Sequence, residues 1–136
     1  MPVEKSKLQQ LALIRLDEAK ALLERDLPSG AFHLAGLALE VAIKACIATR
    51  FDRHVIPDKE FINKVYSHDL RNLMELASLL PDLDNAPEGL QKNWQIARGW
   101  KIESRYDLVT DADARQMLAA ISDPPNGVFT WIQTHW

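Results

Sequence analysis

The sequence is poor in the residues that cross-link, break or coordinate. It has one cysteine, Cys46, among 136 residues, so no internal disulfide forms and no multi-cysteine zinc site can be built. Five glycines and seven prolines are too few for a collagen-like or low-complexity chain. There is no Gly-rich phosphate loop, no Gly-x-Ser-x-Gly elbow and no His-Glu-x-x-His, and no histidines or acids stand at metal-ligand spacing. The usual marks of P-loop, α/β-hydrolase and zinc chemistry are therefore missing, and neither metal nor cofactor is expected. Convincing strand alternation is also lacking. Neither sign of charge dominates: 16 Lys and Arg face 19 Asp and Glu, for a net charge of −3. That excludes a generally basic nucleic-acid coat while leaving room for a local basic patch.

What is present suits a folded chain. Apolar residues make up 47 % and charged residues 26 %, a balance unlike that of disordered segments. Residues 31–48 are 14 of 18 apolar, but His33, Glu40 and Lys44 interrupt them, and a membrane span needs about 20 cleaner residues. The opening Met1-Pro-Val-Glu-Lys lacks the apolar run of a signal peptide. These readings lead to the expectation of one soluble, reduced, cytoplasmic domain over residues 1–136, with no membrane segment.

Periodicity predicts an all-α fold, an antiparallel bundle of about five helices. Leu8, Ala12, Leu16, Ala19, Leu23 and Leu27 step by four or three along a first helix over residues 4–27. Pro28-Ser29-Gly30 stops it, and a second helix over 29–51 is apolar nearly all round, as the centre of a bundle should be. A short helix over 58–66 is possible. His68 to Leu80 reads as the next helix, capped by Ser67 and ended by Pro81-Asp82. Pro87 suits the first position of a fourth long helix running to Arg105. Thr110-x-x-Asp113 caps a helix over 111–122, and Pro124-Pro125-Asn126-Gly127 precedes a last short turn.

Three constellations could carry chemistry. Glu40 and Lys44, four apart in the apolar helix, can pair along its surface, and His33 extends the same stripe; this polar seam either fixes packing or lines a groove or interface. In the predicted fourth helix Trp94, Arg98, Lys101 and Arg105 are spaced four, three and four, and residues 92–105 carry a local charge of +3. Such a stripe can hold phosphate and stack a base on Trp94 or on the neighbouring Tyr106; it can equally pair with acids such as Glu40. Ile96 and Trp100 would anchor the opposite side. All four tryptophans fall within residues 94–136, where Trp131 and Trp136 suit either core or a subunit interface. His54, near Arg50 and Arg53, and His135 are expected at the surface, while Cys46 is expected to act as a small hydrophobe.

The order of these pieces resembles the HEPN-domain family. The helix from Gly30 to Ile47, with Glu40 and Lys44, is similar to that family's A-x-E-x-x-hydrophobic-Lys-Ala helix. His68-Asp69-Leu70-x-x-Leu73 is similar to its H-x-L-x-x-L opening of the third helix, and Trp100-Lys-Ile-Glu-Ser-Arg105-Tyr106 to its aromatic-to-Arg-Tyr segment. The resemblance spans about residues 10–122. It implies a four- or five-helix antiparallel bundle, usually a homodimer, often paired with a minimal nucleotidyltransferase as toxin and antitoxin. It also implies binding of nucleotide or RNA; in this chain the cationic stripe of Arg98, Lys101 and Arg105 is expected to hold the phosphate, with Trp94 or Tyr106 available for stacking. A subset of the family cleaves RNA without metal and carries Arg-x4-6-His. Here Arg50 and His54 have three residues between them, and neither Arg98 nor Arg105 has a histidine at the required distance. Binding is therefore expected over catalysis. The alternatives are a ribonuclease toxin with a divergent site of His68 and Arg105, and a structural dimer subunit. A protonated His68 at a helix N-terminus would need a carboxylate nearby.

Overall fold

The computed structural model describes residues 3–51 and 54–136; Arg53, expected beside His54, lies outside them. Among the described residues the fold is all-α, with eight α-helices, one 3-10 helix and no strand. The α-helices are α1 (Lys5–Glu24), α2 (Pro28–Ala48), α3 (Lys59–Val65), α4 (Leu70–Leu76), α5 (Leu80–Asp84), α6 (Glu88–Ala97), α7 (Asp111–Ser122) and α8 (Val128–Ile132). The 3-10 helix, Ile102–Tyr106, lies between α6 and α7.

The stripe read from α1 is the one that packs: Ala12, Leu16, Ala19 and Leu23 are buried. Asp26, at φ 60°, ends the helix in the left-handed region. The Leu27 N–H returns to Leu22 O at 2.9 Å and the Asp26 N–H to Leu23 O at 3.2 Å, the two bonds of a Schellman turn. Leu27 itself lies past the end and is half exposed. The chain reverses there, and Pro28 opens α2, where its missing N–H costs nothing. α2 is long and apolar enough to cross a bilayer by length and composition, and 61 % of its most apolar window is buried within the protein. α1, α4, α7, α8 and the 3-10 helix all pack on it. One cluster of buried apolar side chains draws on every α-helix except α3.

α1 and α2 stop at Glu24 and Ala48, short of residues 27 and 51, and three later boundaries also differ from the periodic reading. Asp69, not Ser67, caps α4, accepting from the Asn72 N–H at 3.0 Å, while Ser67 Oγ accepts from the Asp69 N–H. Pro81 lies within the first turn of α5 rather than ending a helix, because α4 has already stopped at Ser78, φ 59°, in a second Schellman turn. Most consequentially, α6 ends at Ala97, and the chain continues through Gly99 to an extended Lys101 before winding into the 3-10 helix. Gly99 disfavours helix by about 1 kcal/mol relative to Ala. The turn it permits buries Trp100 to 2 % exposure against Gly36 of α2. Burial of so large a ring outweighs the helical hydrogen bonds lost.

Candidate functional site

Because α6 stops early, Trp94, Arg98, Lys101 and Arg105 do not form one helical stripe. Trp94 is buried at 5 % exposure, so its faces are taken up by the core and cannot stack a base. Trp100, expected only as an anchor, is both anchor and wall. It forms one side of a pocket of about 370 Å³ whose other lining residues include His68, Asp69, Arg98, Lys101 and Glu103. Its Nε1–H is buried without a hydrogen-bond partner among the described residues. Arg98 closes α6 and Lys101 precedes the 3-10 helix, so the irregular stretch between them presents both cations to the same space. Neither makes an ion pair or a side-chain hydrogen bond among the described residues.

His68 enters this pocket from the turn before α4. Its Nδ1 lies 2.7 Å from Oε1 of Glu40, whose side chain is 5 % exposed. An ionised carboxylate only accepts, so Nδ1–H donates and Nε2 is the ring nitrogen left to a ligand. The other oxygen of Glu40, Oε2, receives Lys44 Nζ at 3.3 Å. The expected Glu40–Lys44 pair thus exists and is the centre of a three-residue set. The cations of the later segment do not pair with Glu40.

His33, about two turns before Glu40 in α2, belongs to a separate contact. Its Nδ1 is 3.0 Å from the buried Ser104 Oγ, and its ring lies against Trp100 at 5.9 Å between centroids. Burial lowers its pKa below the ordinary histidine value; the nearby Arg105 lowers it further, and Glu40 partly opposes them. Arg105 is not among the residues lining the pocket. Its guanidinium lies 5.0 Å from the centre of the exposed Tyr106 ring. Arg98 and Lys101, rather than Arg105, are the cations that share this pocket with His68.

Two partners escaped sequence reasoning. Glu40 is 28 residues from His68, and Ser104 is 71 residues from His33; no local spacing signals either contact. Cys46 is buried, and burial pushes its thiol up to about 11. His54 and His135 are exposed. Trp131 and Trp136 are partly buried against the core, Trp136 edge-on to Phe129. Among the described residues no group of three or more His, Cys, Asp or Glu side chains could hold a metal ion. Compared with known proteins, the chain matches no family model, no curated protein and no solved structure.

Proposed function

We propose that the chain is a HEPN-like, non-catalytic binding module, an antiparallel bundle that holds the phosphate of a nucleotide or an RNA end in the Trp100 pocket. One observation carries this reading: Arg98 and Lys101, two cations without an ion pair among the described residues, line a pocket together with a histidine already held at Nδ1. The Arg98 guanidinium and the Lys101 ammonium suit a phosphate's several acceptor oxygens, and Nε2 of His68 adds a third donor when the ring carries its second proton. Ile102, partly buried beside the fully buried Trp100, supplies apolar surface for the remainder of such a ligand. The reading includes a homodimer and a nucleotidyltransferase or antitoxin partner, as the family resemblance implies, in the cytoplasm.

The test is titration with 5′-AMP by calorimetry at low salt. Arg98→Glu together with Lys101→Glu is expected to weaken binding at least tenfold, with helicity by circular dichroism unchanged. An affinity equal to the wild type's would sink the assignment.

A second reading, a metal-independent ribonuclease, is favoured by the Glu40 carboxylate at His68, which meets the requirement for stabilising a protonated ring. His68 would then serve as acid or base and Arg98 as the phosphate cation. It predicts RNA cleavage in the presence of a chelator and growth arrest on expression, both lost in His68→Ala. Intact RNA and normal growth are expected under the binding reading.

A further inference from the structure

Arg98 borders two pockets at once. Beyond the one it shares with His68 and Lys101 lies a smaller pocket of about 210 Å³, lined by Arg71, Asp84, Gln91, Trp94, Gln95 and Arg98 itself. Arg71 comes from α4 and Gln95 from α6, the helices whose ends frame the first pocket, and α5 closes the second with Leu80, Leu83 and Asp84. The Arg71 contact with Glu75 is long, 3.8 Å, and exposed on both sides, a pair worth little and readily exchanged for another anion. Gln91 is engaged, its amide donating to Asp84 O and Ala86 O. Gln95 is exposed and makes no side-chain hydrogen bond among the described residues. Its amide offers the donor and acceptor that match a base edge.

The acids in both pockets narrow the ligand. Asp69, Glu103 and Asp84 accompany Lys101, Arg98 and Arg71. Asp69 caps α4, but Glu103 and Asp84 make no side-chain hydrogen bond or ion pair among the described residues. Carboxylates repel a bare polyphosphate, yet accept hydrogen bonds from the exocyclic amino groups of bases. A ligand matched to this mixture carries phosphates and amino-bearing bases in turn.

We propose that the two pockets hold successive nucleotides of one single-stranded nucleic acid, with Arg98 on the phosphate between them and Arg71 on the next. This rests on the nucleotide-binding reading of the Trp100 pocket and extends it from one nucleotide to at least two.

The experiment compares 5′-AMP, the dinucleotide pApA and inorganic tripolyphosphate as ligands of the full chain, by calorimetry across a salt series. The expected result is about tenfold tighter binding of pApA than of AMP, the strength of one charge-assisted contact. The slope of log affinity against log salt should steepen by about 0.7 for the added phosphate. Arg71→Gln removes that gain and leaves AMP affinity unchanged, whereas Arg98→Gln weakens both. If AMP binds and pApA binds no better, the two-pocket inference falls while the nucleotide reading stands. If tripolyphosphate binds as tightly as pApA, the nucleic-acid identity of the ligand is overturned. If neither nucleotide binds, the underlying reading fails and takes this one with it. Unchanged helicity of Arg71→Gln separates a lost contact from a lost fold.

Discussion

Gly36 has no room for a side chain: a Cβ there would lie 2.1 Å from Cδ1 of Trp100. Both partners are fixed, one in the most buried helix and the other as the largest fully buried side chain, so neither can give way cheaply. Gly36→Ala is expected to destabilise the fold by about 3 kcal/mol, at the upper end of overpacking costs, and to weaken AMP binding by displacing the pocket wall. Chemical denaturation and ligand titration of the same variant check both effects. His33, beside the same ring, makes a pH prediction. Its folded pKa is lowered, so the unfolded chain binds the proton more readily, and stability falls as pH drops below about 6.5. Above about pH 8, where neither state binds the proton, the residue contributes no slope. His33→Asn, which keeps a polar atom near Ser104 Oγ, should flatten the acid limb of midpoint against pH. Identical limbs in the two proteins would refute the assignment. Cys46, buried and raised to about 11, should react with thiol reagents only as the fold opens.

Among the elements, the helix ends carry the clearest test. Asp26 and Ser78 occupy the left-handed region at φ 60° and 59°, where a Cβ costs roughly 1–2 kcal/mol and glycine is at ease. Glycine's extra unfolded-state entropy offsets part of that. Asp26→Gly and Ser78→Gly are each expected to stabilise the protein by about 0.5 kcal/mol, and additively, because they end different helices; denaturant midpoints decide it. These ends also explain what the sequence made legible. The start of α7 is readable because its cap is local: the Asp113 N–H donates to Thr110 Oγ1 at 3.2 Å. The α1 stripe and the all-apolar α2 are readable because burial follows helical period. The break after Ala97 is not, since spacings of four, three and four run straight through Gly99. What ends that helix is Trp100 seating on Gly36, a tertiary contact with no local signature. The candidate site inherits the same limit. Arg98, Lys101 and His68 are visible as residue types, but their convergence depends on the break, and Glu40 as the partner of His68 depends on how α4 meets α2.

Across the whole molecule, Glu40 joins the bundle centre to its surface chemistry. One carboxylate, 5 % exposed, holds Lys44 on its own helix and His68 on the segment leading into α4. Glu40 and Lys44 both line a third cavity, of about 410 Å³, among apolar residues of α1, α2 and α3, so Glu40 borders one hollow and reaches the Trp100 pocket through His68. Removing its charge leaves Lys44, 17 % exposed, without a counter-ion, whereas His68, half exposed, can rehydrate. Breaking a fully buried pair costs about 3–5 kcal/mol; with one partner partly wet and the other mostly so, Glu40→Gln is expected to cost about 1–2 kcal/mol. His68→Ala should cost less, about 1 kcal/mol, since Glu40 keeps Lys44 and only the half-exposed ring is removed. Ligand binding should rank the two differently. If the pocket holds a nucleotide as proposed, both variants should lose AMP affinity, Glu40→Gln because His68 is no longer held and His68→Ala because the imidazole is gone, and the double variant should lose little more than His68→Ala alone. Losses that simply add would mean that Glu40 acts on the ligand independently of His68, and the carboxylate would then have no role in positioning the ring.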